Sequence, residues 1–178
     1  LSEIKSAPYP SMSKEMFVFT SDFGDREVWN RSELGFSIIG NQSCSRPVSI
    51  EDDGTWDMEP FIYSDNNDGI IVWTNATKDF KETFTGEDIA SALRISLAVC
   101  DSNNTWIDFK TTNVSYYNSD NISTYNPKVT KIDGKILVSW VVCHDVKNDT
   151  GSYGIEGFYY NPETNAFYSE NNLVDENG

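Results

Sequence analysis

Pro60-Phe-Ile-Tyr-Ser-Asp-Asn-Asn-Asp-Gly-Ile-Ile-Val-Trp73 returns further along the chain as Pro127-Lys-Val-Thr-Lys-Ile-Asp-Gly-Lys-Ile-Leu-Val-Ser-Trp140. Pro60 to Pro127 and Trp73 to Trp140 are the same 67 residues apart. A self-similar unit of that order marks an architecture of stacked supersecondary pieces. Ile70-Ile-Val-Trp73 and Ile136-Leu-Val-Ser-Trp-Val-Val142 are near-continuous apolar runs, which suit central strands buried on both faces. Asp68-Gly69 and Asp133-Gly134 stand just before them, and Asp-Gly favours a hairpin turn because that turn needs positive φ angles. Each unit is therefore expected to start as a strand at its proline, turn at Asp-Gly and return through the tryptophan strand. Pro to Gly is nine residues in one copy and seven in the other, so a bulge or slip is expected to absorb the difference.

A third strand follows in each unit. Leu93, Ile95, Leu97 and Val99 alternate with Arg94, Ser96 and Ala98, the period-2 pattern of a strand with one buried face. The preceding Gly86-Glu-Asp-Ile-Ala-Ser-Ala-Leu has helix-friendly residues, with Ile89 and Leu93 four apart. Its counterpart Tyr153-Gly-Ile-Glu-Gly-Phe-Tyr-Tyr160 carries two glycines and several aromatics and reads only as strand, so position in the repeat predicts strand for both. The turns Val99-Cys-Asp-Ser-Asn-Asn-Thr-Trp106 and Tyr159-Tyr-Asn-Pro-Glu-Thr-Asn-Ala-Phe167 each close on an aromatic that opens a fourth strand. Met16–Asp22, Leu34–Ile39 and Arg46–Ile50 repeat the second, third and fourth strands at the front of the chain.

Four antiparallel strands per unit is the blade plan of a β-propeller. The expected fold is all-β, with about three four-stranded antiparallel blades: residues 1–59 a partial first blade with a leading segment, 60–126 the second and 127–178 the third. Propellers close with about four to eight blades, so these units are expected to belong to a larger propeller, or to one that closes by pairing.

Composition narrows the function classes. Twenty-eight acidic against 13 basic residues give a formal charge of −15 in 178 residues, so a phosphate backbone or an anionic membrane would meet repulsion. No nucleic acid and no membrane insertion are expected, since no apolar run approaches the roughly 20 residues of a spanning helix. Cys44, Cys100 and Cys143 lack the close spacings of zinc sites, and an odd number cannot pair off completely. They read as small buried hydrophobes or free thiols, with one disulfide as the alternative. Asn-X-Ser/Thr triplets at Asn30, Asn41, Asn75, Asn103, Asn113, Asn121 and Asn148 are either glycan acceptors or the chance product of an Asn/Ser/Thr-rich chain.

Ser49-Ile-Glu-Asp-Asp-Gly-Thr-Trp-Asp-Met-Glu-Pro60, the Ile-Val-Trp strand and the Asp101-Ser-Asn-Asn-Thr-Trp106 turn together resemble the repeat of large bacterial cell-surface β-propellers, and are distantly similar to the Asp-box blades of sialidases. Ser49, Asp52, Gly54 and Trp56 have Asp-box residue types at other intervals. That resemblance implies a propeller fold with an extracellular or cell-surface location. It transfers no catalytic residue: sialidases use an arginine triad, and Arg26, Arg31, Arg46 and Arg94 fall in no matching motif.

Side chains with chemistry read as follows. His144-Asp145 is the chain's one His beside a carboxylate, a pair suited to acid/base work, but with no nucleophile or metal-ligand partner it reads as a strand-end surface residue. Acidic residues crowd the loop Glu51, Asp52, Asp53, Asp57 and Glu59, and a bound cation would relieve their repulsion. Asp52, Asp53 and Asp57 are therefore the expected metal ligands should calcium bind, although Asp and Asn are also what turns select; no cofactor is otherwise expected. Tyr116, Tyr117, Tyr159 and Tyr160 are the expected ligand-binding aromatics, since sugars stack on aromatic faces. Trp73, Trp106 and Trp140 read as blade core. The expectation that follows is a non-enzymatic binding or adhesion module taking carbohydrate or protein through its loops, with self-association through exposed blade edges. A sialidase-like glycoside hydrolase fragment and a structural spacer are the alternatives.

Overall fold

One hairpin cannot bury a strand that is apolar on both faces, so such strands need a sheet on either side. The computed structural model describes residues 10–22, 32–40, 43, 45, 48–51, 54–65, 68–100, 121–147, 151–164 and 166–168. These form three antiparallel sheets in chain order. The first is β1 (Ser11–Ser13), β2 (Met16–Asp22), β3 (Ser32–Ile38) and β4 (Val48–Glu51). The second is β5 (Asp57–Asp65), β6 (Asp68–Ala76) and β7 (Leu93–Cys100), and the third β8 (Ile122–Ile132), β9 (Lys135–His144), β10 (Ser152–Asn161) and β11 (Ala166–Tyr168). Every strand pairs with its neighbour in sequence, and the fold is that of β-propeller-type blades. The fourth strand expected in the second unit, residues 106–112, lies outside the described residues.

The blades pack through their central strands. Met16, Val18, Leu34, Phe36 and Ile50 of the first meet Ile62, Ile71, Trp73 and Ala98 of the second. Ile70, Val72, Ile95 and Leu97, on the second blade's opposite face, meet Val129, Val138, Trp140 and Tyr160 of the third. Trp73 and Trp140 thus fill the same place in successive interfaces, and both are buried. Because a blade lies on each side, β7 is buried on both faces, Arg94 and Ser96 included, rather than on one.

Two local expectations are corrected. The Asp133-Gly134 turn forms as expected, with φ of 51° and 81°, flanked by the pair Ile132↔Lys135. In the second blade Asp68 pairs with Asp65 and Gly69 with Ser64, so Asp68-Gly69 stands inside β6 and not in a turn. The pairs Phe61↔Val72 and Lys128↔Ser139 lie one repeat apart, and both hairpins keep one register with no slip between them. Residues 86–92 are helix rather than strand: α1 (Gly86–Ala92) is opened by a capping box in which Asp88 N donates to Thr85 Oγ1 (3.2 Å) and Thr85 N donates to Asp88 Oδ2 (2.9 Å). The Thr85 N–H and the Thr85 hydroxyl, both donating to Asp88 Oδ2, hold the Asp88 carboxyl below its ordinary range. Ile89 then packs, as do Phe84 and Trp56, against the buried cluster of Ala76, Phe80, Ala92 and Leu93. The repeat does not carry through here, because the connection between second and third strands lies outside the packed sheet and is free to differ.

The indoles differ in how their N–H is satisfied. Trp73 Nε1 donates to Asp57 Oδ1 (2.8 Å), which also accepts from Asn75 Nδ2 (3.0 Å). At the matching positions of the third blade stand Thr124 and Val142; Trp140 Nε1 has no acceptor among the described residues, and Thr124 Oγ1 donates to Leu93 O (3.3 Å) instead. Replacing Asp57 strands the buried Trp73 indole N–H and takes one acceptor from the half-buried Asn75 amide, which keeps Thr55 Oγ1, so Asp57→Ala is expected to cost about 2–3 kcal/mol and Thr124→Ala about 1 kcal/mol. Urea denaturation of the two variants checks the ranking; equal losses would refute it.

Candidate functional site on the inner strands

The first strand of each blade packs against the first strand of the next, β5 lying against both β1 and β8. Side chains stitch these strands together. Ile62 N donates to Ser11 Oγ (3.1 Å) and Ser64 N to Ser13 Oγ (2.9 Å). Between β5 and β8 the stitch is a carboxylate: Asn126 N donates to Glu59 Oε2 at 2.8 Å, and Thr74 Oγ1 donates to the same oxygen at 3.1 Å.

Glu59 and Asn126 occupy one position of the repeat. Each immediately precedes the repeat's proline, each has a left-handed backbone (φ 53° and 52°), and each sits where its hairpin's register shifts in a bulge. Proline has no N–H for the ladder, which is why the bulge falls there. Left-handed backbone costs an ordinary L-residue about 1–2 kcal/mol; Asn bears it better than Glu. Glu59 is half-buried, and its second oxygen, Oε1, takes no hydrogen bond from the described residues. Lys128 stands beside it, its Nζ donating to Asn126 Oδ1 (2.8 Å) and lying 5.0 Å from the centre of the Phe61 ring. Burial lowers the Lys128 amine, against the opposing pull of Glu59, and burial raises the nearby Tyr125 phenol. The inner rim between the second and third blades therefore presents one anchored carboxylate, an ammonium, an amide and two aromatic rings.

The residues expected from the sequence are placed elsewhere. Tyr116, Tyr117, Asp52 and Asp53 lie outside the described residues. The Asp57 carboxylate is buried and accepts from the Trp73 indole. No cluster of three or more metal-ligating side chains occurs among the described residues. Tyr160 is no exposed platform: strand alternation sends it into the interface with the second blade, where burial pushes its phenol up to about 12. Tyr159 is buried on the opposite face, stacked on Tyr168 (5.6 Å) under Lys135 Nζ. His144 and Asp145 do not act together. Asp145 turns the chain at φ 58° and accepts from Asn121 Nδ2, while His144 Nε2 lies 4.0 Å from Glu156 Oε1. Asn75 and Asn121, two of the candidate glycan acceptors, spend their amides on internal hydrogen bonds, and Cys143 is a buried free thiol. Sequence reasoning counted Glu59 only as one acid of a crowded loop; the signal for it was that Glu-Pro and Asn-Pro open the two repeats at the same place.

No protein-family model matches the chain, and no curated protein matches it. Solved structures do. A thermostable family-43 glycoside hydrolase superposes with a TM-score of 0.57 at 13% identity, over 90% of this chain and 55% of that one. An α-L-arabinanase of Penicillium chrysogenum, solved with arabinobiose, superposes with a TM-score of 0.53 at 11% identity, over 83% of this chain and 42% of its own. The chain thus spans about half the length of these structures, and the likeness is one of fold. It is to glycoside hydrolases and not to Asp-box sialidases, so the expected affiliation holds at the level of the β-propeller. The expectation of a non-enzymatic module is corrected by the same finding, because both of these structural relatives are glycoside hydrolases. That expectation rested on the lack of a contiguous catalytic motif, and an inner-rim site collects single residues from separate blades.

Glu156 supplies a pH test of the geometry. Burial holds its carboxyl above the ordinary range, so the fold favours the protonated form. Stability from this group is fully present below the ordinary carboxylate pKa and is lost as pH rises through the raised one. Glu156→Gln is expected to flatten the melting temperature against pH from about 4 to about 7. Thermal melts across that range decide it, and an unchanged slope would exclude Glu156 as the source.

Proposed function

We propose that this chain contributes part of a glycoside-hydrolase propeller acting on arabinose-containing polysaccharide, with Glu59 as one of its two catalytic carboxyl groups. The observation that carries this reading is the strained placement of Glu59. The same backbone position in the next blade is held by Asn126, so the bulge does not require an acid, and Glu is the costlier residue there. Strain retained at one copy of a repeat points to a role for the side chain itself. A carboxylate with one oxygen fixed by two donors is held in one orientation and leaves the other oxygen open toward a substrate, as the carboxyl pair of a glycoside hydrolase requires. Lys128, Phe61 and Tyr125 supply the polar and aromatic contacts that a sugar ring accepts. The second carboxyl group comes from another blade, as the rim position at 126 is an amide.

The substrate class rests on the likeness to the arabinanase solved with arabinobiose. A polymeric sugar does not cross a membrane, so an extracellular location goes with it; among the described residues no helix is long and apolar enough to cross one. Release of reducing sugar from linear arabinan by the wild-type protein and by Glu59→Gln tests the proposal. The variant is expected to lose at least about 100-fold in turnover, the span typical of a removed acid/base group, while its melting temperature stays within a few degrees. Absence of hydrolysis by the wild type, or full activity in Glu59→Gln, would end this reading.

A further inference from the structure

The connection between the second and third strands is 16 residues long in the second blade (77–92), against nine in the first (23–31) and seven in the third (145–151). We infer that this longer connection builds a second sugar-binding position, in which a neutral ring of the polysaccharide that meets Glu59 stacks on the Trp56 indole. The inference rests on the arabinan reading above and extends it along the bound chain.

The connection closes over a small core of its own, Ala76, Phe80, Ala92 and Leu93, on which Trp56 and Met58 pack as the chain enters β5. Two backbone hydrogen bonds seal its base, Ala76 N donating to Trp56 O (2.9 Å) and Thr77 N to Ala92 O (3.0 Å). Strand alternation places this core on the Glu59 side of the blade. Ala76 continues the row of Val72 and Leu93 that of Ile95, the residues that face the third blade, whereas Asp57 turns the other way to the Trp73 indole. Trp56 and Met58 therefore flank β5 on the side where Glu59 accepts from Asn126 N. Three residues at about 3.3 Å each set Trp56 about 10 Å from Glu59 along the strand, the span of about two sugar rings.

Within this cluster the indole is the ring placed to receive a ligand. Phe80 is buried, and Phe84, edge-on to it at 6.2 Å, has Lys78 Nζ over its own face at 5.2 Å. Trp56 is half-buried and held edge-to-face by Phe80 at 5.6 Å, so its ring is oriented in advance and part of the residue still reaches the surface. An aromatic ordered before binding loses little freedom when a sugar stacks on it. The repeat does not require an indole there: the matching position of the third blade is Ser123, which is buried. Charge selects the kind of sugar. Asp79, Glu82, Glu87 and Asp88 outnumber Lys78 and Lys81 in the connection, which suits an uncharged ring and opposes a uronate or a phosphate.

Calorimetric binding of arabinobiose and arabinohexaose to the Glu59→Gln protein tests the inference apart from turnover. Arabinohexaose should bind more tightly, because only the longer chain reaches both positions. Trp56→Leu in that background should cut this preference at least about tenfold, as removal of an aromatic anchor does, and Trp56→Phe should keep most of it. Phe84→Leu, which loosens the same small core and retains the indole, should leave the preference as it was. No preference in the parent protein, or an unaltered one in Trp56→Leu, would overturn the inference and leave the Glu59 reading standing. An equal fall in Phe84→Leu would overturn it too, by assigning the effect to packing. If neither oligosaccharide binds, the inference falls together with the arabinan reading.

Discussion

The structure depends on one indole at each blade interface, set where two sheets meet. Trp73 stands between the first and second blades and Trp140 between the second and third, each ringed by aliphatic residues from the facing sheet. A strand carrying such a residue on one face and Ile70 or Val72 on the other is stable only with a sheet on each side, which makes stacking obligatory. The interfaces are alike in packing and unlike in polarity. Asp57 completes the Trp73 hydrogen bond, and among the described residues Trp140 finds no equivalent. Repetition has conserved shape here and let the polar partner drift, in keeping with packing as the dominant stabilising term.

A second constraint, the proline that opens each unit, fixes the inner rim. It expels one residue from the ladder, leaving a left-handed bulge and an unpaired backbone N–H. At Asn126 that N–H finds the Glu59 carboxylate of the preceding blade. One bulge residue therefore closes the hydrogen-bond deficit of the next, and Glu59 is positioned by two blades at once. Catalytic groups gain from such rigidity, because an acid on a loop would lose its orientation to thermal motion.

Much of this was legible before any coordinates. The 67-residue spacing, the apolar tryptophan runs and Asp133-Gly134 yield the blades, their central strands and one turn correctly. Asp68-Gly69 misleads because the dipeptide is a turn former only where pairing places it, and here both residues pair within the hairpin, with Asp65 and Ser64. The helix at 86–92 was visible in its residues, Thr85 and Asp88 as cap and Ile89 facing inward, and was lost by trusting the repeat in a connection that the repeat does not govern. Tyr159 and Tyr160 failed for a different reason. Composition says that aromatics bind sugars, but only strand parity and the neighbouring sheet say which tyrosine reaches solvent.

The site was the least legible part, and the cause is geometric. Motif reading looks for catalytic groups close together in sequence, as in a nucleophile elbow or a metal-binding helix. Stacked blades bring together residues one full repeat apart: Glu59 and Asn126 are 67 residues distant and joined by a 2.8 Å hydrogen bond. A short motif was never going to appear, and its absence says nothing of what the inner rim can hold. The informative comparison was internal, between what each repeat places at one backbone position. Where the backbone repeats and the side chain does not, as at 59 and 126, the fold's requirements cancel and what remains is chemistry particular to that blade.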